Sequence, residues 1–235
     1  MGTGNYNPST AHQYEDVSLL SADPDLGADV TELFNLLTGY SRQSRYRKLL
    51  VAPTNLRSGI TQLIEREGVV GGRITIKVNN LIDPEIIDAL YAVAQHGAQI
   101  DLLVRSMCAL RPGVPGLSER IRVRSIVGQF LEHSRVFMFG NGGRPEYYLG
   151  SSDLMQRNLD RRVEAVVPVS DAKLRQRLQQ ILDVYLADDV LAWELGPDGT
   201  WRKVPTVRGV NSHYRFKEMA LESAHGNGLS GVPHP

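Results

Sequence analysis

LEHSRVFMFGNGGRPEYYLGSSD, residues 131–153, is the stretch from which the rest of the chain can be read. Arg135–Phe139 and Tyr147–Leu149 are short runs suited to strands, and Asn141-Gly142-Gly143 supplies the permissive backbone that a tight reversal between them needs. His133 and Arg135 stand two apart, so a strand here turns both to one face and sends Glu132 to the other. Gly150-Ser151-Ser152-Asp153 ends the second run in a turn of little bulk, where backbone N–H groups and short polar side chains can approach an anion. A histidine and a cation at one strand end therefore face an anion-type turn that starts seventeen residues after His133.

Upstream, Gln99–Val104 is a nearly continuous apolar strand, the mark of one covered on both faces. Arg105–Ser118 leaves its C-terminal end as a Pro- and Gly-interrupted loop, the place where open α/β sheets build sites. Arg73–Val78 alternates as a strand, and Asp83-Pro84 opens a helix bearing Ile86, Ile87, Leu90, Tyr91 and Ala94. Leu49–Ala52 reads as a further strand, with Asn55 capping a helix through Ile60, Leu63 and Ile64 that ends at Gly68–Gly72. Asp16–Ser21 reads as a strand, Asp23-Pro24 starts a helix carrying Val30, Leu33, Phe34 and Leu37 as far as Gly39, and residues 42–48 form a basic connector. Ile121–Ile126 and Arg162–Val167 are strands, and Asp171 caps a helix to about Leu186. Trp193 and Trp201 flank a Pro-Asp-Gly turn as a hairpin, and the final Gly, Ser, Pro and His residues read as a disordered tail. Strands alternating with helices make the fold class α/β with a mixed sheet.

Composition narrows the function. Among 235 residues, 26 basic and 26 acidic side chains cancel, which argues against a whole-surface electrostatic hold on nucleic acid. The cations are uneven: 21 are Arg and 5 are Lys, and ten arginines fall between Arg105 and Arg162. Guanidinium pairs bidentately with phosphate or carboxylate, so a local oxyanion site is one reading and solvated surface charge the other. No run reaches the roughly eighteen apolar residues of a membrane span and no secretory signal opens the chain, so the cytoplasm is the expected location. Cys108, the lone cysteine, offers neither a disulfide nor a thiolate cage, and no metal-ligating set is read.

The chain also repeats itself. Gly2-Thr3-Gly4-Asn5 aligns with Gly150-Ser151-Ser152-Asp153 at an offset of 148, and the same register lays Asp16 on Glu164. Together, His133-Ser134-Arg135 and the Gly150–Asp153 turn resemble one half of a phospholipase D-type site, a His-x-Lys strand pair followed by a Gly-Ser-x-Asn turn. Arg135 stands for the lysine and Asp153 for the asparagine. In that superfamily two halves face each other, one histidine attacking phosphorus and the other handling the leaving-group proton.

Longer strings are more specific. Gly2-Thr3-Gly4-Asn5-Tyr6-Asn7-Pro8 leading to Tyr14 and Asp16, Leu103-Val104-Arg105-Ser106-Met107-Cys108, Leu131-Glu132-His133-Ser134-Arg135, and the run from Ser151 to Arg162 resemble the bacterial ATP:polyphosphate phosphotransferases, the polyphosphate kinases. The resemblance covers Gly2 to about Val204, roughly the last third of that family's chain. It implies the end of a first phospholipase D-like domain in residues 1–40, a second such domain in 41–205, and an extension in 206–235. It implies reversible transfer of the terminal phosphoryl group of ATP to inorganic polyphosphate through a phosphohistidine, with Mg2+ assisting from a site that precedes Met1. ATP, ADP and polyphosphate are then the partners; no nucleic acid is expected, and self-association is left open.

By the same resemblance Tyr14 lies against the nucleotide base, Arg105 contacts ATP phosphates, and His133 is the second essential histidine, a catalytic acid or base that also touches phosphate. Arg135, Ser151, Asp153, Asn158, Arg161 and Arg162 are further phosphate-site candidates, with pairing to Asp160 or Glu164 the alternative for Arg161 and Arg162. His12, His96, His213, His225 and His234 read as surface or cap residues. The counterpart of His133 in the first half would lie before the start of the chain, which suggests a shortened gene product, half of a split gene or an excised domain, inactive or slow alone. Met1–Pro8, without its preceding strand, is expected to be displaced or poorly ordered, while Asp16–Leu37 can still pack on the main body. A phospholipase D-like phosphodiesterase and a non-catalytic phosphate-binding remnant are the alternatives.

Overall fold

The computed structural model of the protein describes residues 1–40 and 45–226. Along the chain come α1 (Pro8–Ala11), β1 (Tyr14–Glu15), α2 (Pro24–Leu37), β2 (Leu50–Ala52), α3 (Leu56–Val70), β3 (Arg73–Val78), α4 (Pro84–Gln95), β4 (Gln99–Val104) and β5 (Ile121–Ile126). Then follow β6 (Leu131–Glu132), β7 (Val136–Phe139), β8 (Glu146–Gly150), α5 (Gln156–Asp160), β9 (Glu164–Val169), α6 (Ala172–Ala187), β10 (Ala192–Leu195), β11 (Trp201–Lys203) and α7 (Ser212–Gly226).

Nine strands form one mixed sheet in the order β11-β10-β5-β4-β3-β7-β8-β9-β2, parallel across β3, β4 and β5 and antiparallel elsewhere. Alternation sorts the side chains into two cores. Ile74, Ile76 and Val78 of β3 and Ile100, Leu102 and Val104 of β4 pack with Ile60 and Ile64 of α3 and Ile86 and Leu90 of α4. On the opposite face Leu103, Val136, Met138, Leu149 and Val167 meet Leu178, Leu182 and Tyr185 of α6. Each fully buried aliphatic side chain contributes about 1.5–3 kcal/mol relative to exposure, so this double cover holds the central strands rigid.

The helix starts follow their capping chemistry. Asp23 accepts from the amides of Asp25 and Leu26 ahead of Pro24, and Asp83 from that of Ile86. Asn55 stands at the N-cap of α3 but braces β2 instead, its carboxamide accepting from Val51 N and donating to Leu49 O. Fully buried Asp29 of α2 accepts from the backbone amides of Arg47, Lys48 and Leu49, fastening α2 to the start of β2 as expected of a segment that packs on the main body.

Several expectations are corrected. Asp16–Ser21 is not a strand: only Tyr14–Glu15 pairs, parallel to β6, with an isolated Gly2–Ser18 bridge beside it, and Leu20 is 94% exposed because no further strand lies alongside. Met1–Pro8 is not displaced. Thr3 N donates to Val17 O, Leu19 N to Met1 O and the amino terminus to Leu19 O, so the segment finds partners within its own neighbourhood. His133 lies between β6 and β7 rather than inside a strand, and the strand expected at Arg162–Val167 begins at Glu164. Residues 212–226 form α7, which docks through buried Met219 and a Tyr185–Phe216 ring contact at 4.8 Å. The tail read as disordered and part of the basic connector, residues 227–235 and 41–44, lie outside the described residues.

Candidate active site

Strand direction brings the site together. The C-terminal ends of parallel β3 and β4, the N-terminal end of antiparallel β7 and the C-terminal end of β8 all open on one side of the sheet. Arg105 leaves β4 there, Arg135 precedes β7, and the Gly150–Asp153 turn closes β8.

His133 sits at the centre. Its Nδ1 lies 3.0 and 3.1 Å from the carboxylate oxygens of Asp16, and its ring packs on Tyr14 with centroids 4.9 Å apart. A carboxylate accepts, so the proton of this contact is assigned to Nδ1; Arg135 NH1 lies 3.2 Å from Nε2 and 3.4 Å from Nδ1, against the ring. Asp16 also accepts from Thr3 Oγ1 at 2.6 Å. Burial works against the Asp16 charge, and the bonds from His133 and Thr3 outweigh it, holding its carboxyl below the usual value. Arg135 also donates to Thr3 O at 2.9 Å, so the N-terminal segment that was expected to be displaced stands against His133.

Asp153 is satisfied on every side. It accepts from Asn79 N at 2.8 Å, Asn80 Nδ2 at 3.1 Å and the Arg135 guanidinium at 3.3 and 3.4 Å, which makes it the anchor of Arg135. Since Arg135 touches both His133 and Asp153, one guanidinium spans the imidazole and the turn, the juxtaposition the sequence predicts. Asn79 accepts from Arg105 Nε at 2.9 Å. A neutral carboxamide thus orients Arg105 without cancelling its charge, and among the described residues Arg105 has no ion-pair partner. Burial lowers the Arg105 pKa, Asp153 opposes and Arg135 adds to the lowering.

The remaining candidates divide. Ser151 Oγ donates to Glu164, and Asn158 Nδ2 donates to the same carboxylate at 2.7 Å, so both brace the turn from behind. Thr3–Asp16 and Ser151–Glu164 are the same hydroxyl–carboxylate pair at the two aligned positions, the sequence repeat made physical. Arg161 and Arg162 are exposed, and the alternative pairing for them is not formed: Asp160 binds Arg57 and Glu164 binds Ser151 and Asn158.

Two groups were missed by the sequence reading. Lys77, on the inward face of β3, is 3% exposed and lies 2.9 Å from Glu132 Oε2 and 3.2 Å from Glu15 Oε2. Burial opposes its charge, and the two carboxylates overcome that and raise its pKa. His213, read as a surface or cap residue, is buried, with Nε2 2.7 Å from Glu132 Oε1. Burial, the largest single influence, pushes Glu132 up, and Lys77, His213 and Tyr185 together pull it down further, to a net value of about 2. A lysine at an inward register of an apolar strand was the available signal for Lys77; nothing local in the sequence marks His213.

Family models match in two adjoining pieces: polyphosphate kinase C-terminal domain 1 over residues 1–43 and polyphosphate kinase C-terminal domain 2 over residues 49–214. The polyphosphate kinase of Streptomyces coelicolor is 51% identical over 228 residues, 95% of this chain and 31% of that protein. Polyphosphate kinase 1 of Chlorobaculum tepidum is 50% identical over 237 residues, 98% of this chain and 34% of that protein. The crystal structure of polyphosphate kinase from Porphyromonas gingivalis superposes with a TM-score of 0.90 at 36% identity, covering 95% of this chain and 36% of that one. The chain therefore spans about a third of the length of the relatives it matches. With more than half of its length inside one family model and about half of its residues shared with full relatives, the chain belongs to the polyphosphate kinase family, whose C-terminal portion it carries.

Proposed function

We propose that this site handles the phosphates of ATP and polyphosphate in phosphoryl transfer, with His133 moving the proton. The supporting observation is the oriented imidazole: Asp16 engages the Nδ1 edge, and the Arg135 guanidinium lies against the ring, 3.2 Å from Nε2 and 3.4 Å from Nδ1, where an incoming phosphate oxygen can engage it beside Nε2. Phosphate held at Arg135 and Arg105 would lie beside Nε2, which can take or return a proton at the bridging oxygen, with Asp16 stabilising the protonated ring. Tyr14, tilted at 49° against the imidazole, offers its other face to a nucleotide base. Asp153 holds Arg135, Ser151 and Asn158 hold the turn, and exposed Arg161 and Arg162 are outer contacts for a chain of phosphates.

Magnesium would arrive with the nucleotide. Asp16 is committed to His133 and Thr3, and among the described residues no group of three His, Cys, Asp or Glu side chains is set to hold a metal, so these residues supply no magnesium site and no step is routed through one. Among the described residues no helix is long and apolar enough to cross a membrane; a cytoplasmic location is part of the proposal only. The family match favours phosphoryl transfer over the phosphodiesterase alternative.

A phosphohistidine route needs a nucleophile opposite the proton-handling group. The isolated chain is therefore expected to bind ATP and polyphosphate weakly and to turn over very slowly. Calorimetric titration should give binding that Arg105→Ala and His133→Ala weaken and that salt weakens, and γ-labelled ATP with magnesium should yield little labelled polymer. Absence of binding to either ligand would overturn the reading; rapid polymer synthesis would overturn the division of labour between two histidines.

A further inference from the structure

Beneath the site, backbone alternation does something the surface residues do not reveal. In Tyr14-Glu15-Asp16, the outer two residues face His133 while Glu15 points inward. In Glu132-His133-Ser134-Arg135, His133 and Arg135 face the mouth while Glu132 and Ser134 point inward. All three inward groups end on one ammonium. Lys77 Nζ lies 3.2 Å from Glu15 Oε2, 2.9 Å from Glu132 Oε2, 2.8 Å from Ser134 Oγ and 3.2 Å from Ser134 O, and Ser134 Oγ donates in turn to Glu15 at 2.7 Å. The ammonium also stands over the Tyr185 ring, 4.9 Å from its centroid, which closes it off from below.

We propose that Lys77 is a positioning residue for phosphoryl transfer: by gathering Glu15, Glu132 and Ser134 it sets β1 against β6 and so presents Tyr14, Asp16, His133 and Arg135 to one phosphate. The inference rests on the phosphate-handling reading above. Its physical basis is that β1 and β6 are two residues long and pair only with each other, too short to hold a register by backbone bonds alone. A buried cation with three N–H donors supplies the missing constraint and is itself fixed by the rigid β3. Lys77 touches no ligand; it acts through its neighbours.

The test uses the full chain, with ATP and tripolyphosphate as probes and the 15N shifts of the His133 ring as a reporter of its tautomer. In Lys77→Met the ring should leave the fixed Nδ1–H form for a tautomer mixture, and both probes should bind at least tenfold more weakly. Because two carboxylates would then lie buried without a cation, the triple variant Lys77→Met, Glu15→Gln, Glu132→Gln removes the uncompensated charge, and it should fold while showing the same two losses. Lys77→Arg should restore part of both. A folded triple variant with wild-type ring shifts and wild-type affinities would overturn the inference, since Lys77 would then only neutralise its neighbours. Failure of the wild-type chain to bind either probe would sink the phosphate reading instead, and the ring shifts would still decide the positioning role.

Discussion

Gly4 should not tolerate a side chain, and the reason lies in Asp16 rather than in the backbone. The φ of Gly4 lies outside the left-handed region, so alanine is sterically acceptable to the chain itself. A methyl group there would collide with the Asp16 carboxylate, reaching 2.8 Å from Oδ1 and closer still to Oδ2 and Cγ. The short Asp16 side chain can rotate away, so Gly4→Ala should fold, but rotation breaks the bonds from Thr3 Oγ1 and His133 Nδ1. Hydrogen bonds to a charged group are worth about 1.5–3 kcal/mol each, and partial exposure places this pair low in that range. With some recovery by water, docking of the N-terminal segment should weaken by roughly 2 kcal/mol, a factor of about 30. Native-state hydrogen exchange reads this directly: the Thr3 amide, bonded to Val17 O, and the Val17 amide, bonded to Thr3 Oγ1, should exchange about 30-fold faster, while β3 and β4 amides stay protected. Unchanged exchange at Thr3 and Val17, with unchanged His133 ring shifts, would refute the idea that this glycine exists to admit Asp16.

Gly150→Ala meets backbone instead, with Val166 Cα 2.7 Å from the added methyl, so β8 and β9 must part; a loss of about 1–3 kcal/mol, seen as a lower melting temperature of the whole chain, is expected. Arg105→Lys keeps the charge but loses the Asn79 bond and the planar fork, and ATP affinity by calorimetry should fall roughly tenfold. Glu132, lowered to about 2 from 4.5, adds stability that is complete above pH 4.5 and is lost as pH falls toward 2. Lys77, raised above 10.5, adds stability that is complete below pH 10.5 and is lost as pH rises beyond it. Thermal melts should therefore show an acid decline that is steeper in the wild type than in Glu132→Gln, with the contribution of this pair flat between those limits.

What the sequence made legible follows from range. Capping and alternation are local, so α2, α4, β3, β4 and the Trp193–Trp201 hairpin could be read from Asp23-Pro24, Asp83-Pro84, two apolar periods and a Pro-Asp-Gly turn. The proximity of His133, Arg135 and Asp153 was legible for the same reason: a strand, a reversal and a strand leave little freedom. Contacts over long separations were not. Met1–Pro8 was misjudged because its partners, Val17, Leu19 and Arg135, are identified only once the segment has folded back. His213 meets Glu132 across 81 positions, and nothing near either residue announces the other. Ser151 was legible as part of a polar turn and Asn158 as an anion-site candidate, but which way each side chain points depends on Glu164, a buried residue one strand away.

The bond between Asp16 and His133 crosses the line between the two matched domains, 1–43 and 49–214. Inheritance and chemistry thus divide this molecule differently. The stretch that would be copied, moved or lost as a unit ends near residue 43, yet the carboxylate that sets the tautomer of His133 lies on the far side of that seam. A gene broken there would leave one piece holding a histidine with a wandering proton and the other a carboxylate with nothing to orient, and would also part β1 from β6 and Asp29 from residues 47–49. Selection acting on the proton transfer would therefore keep the two segments on one chain, although each has a recognisable pedigree of its own.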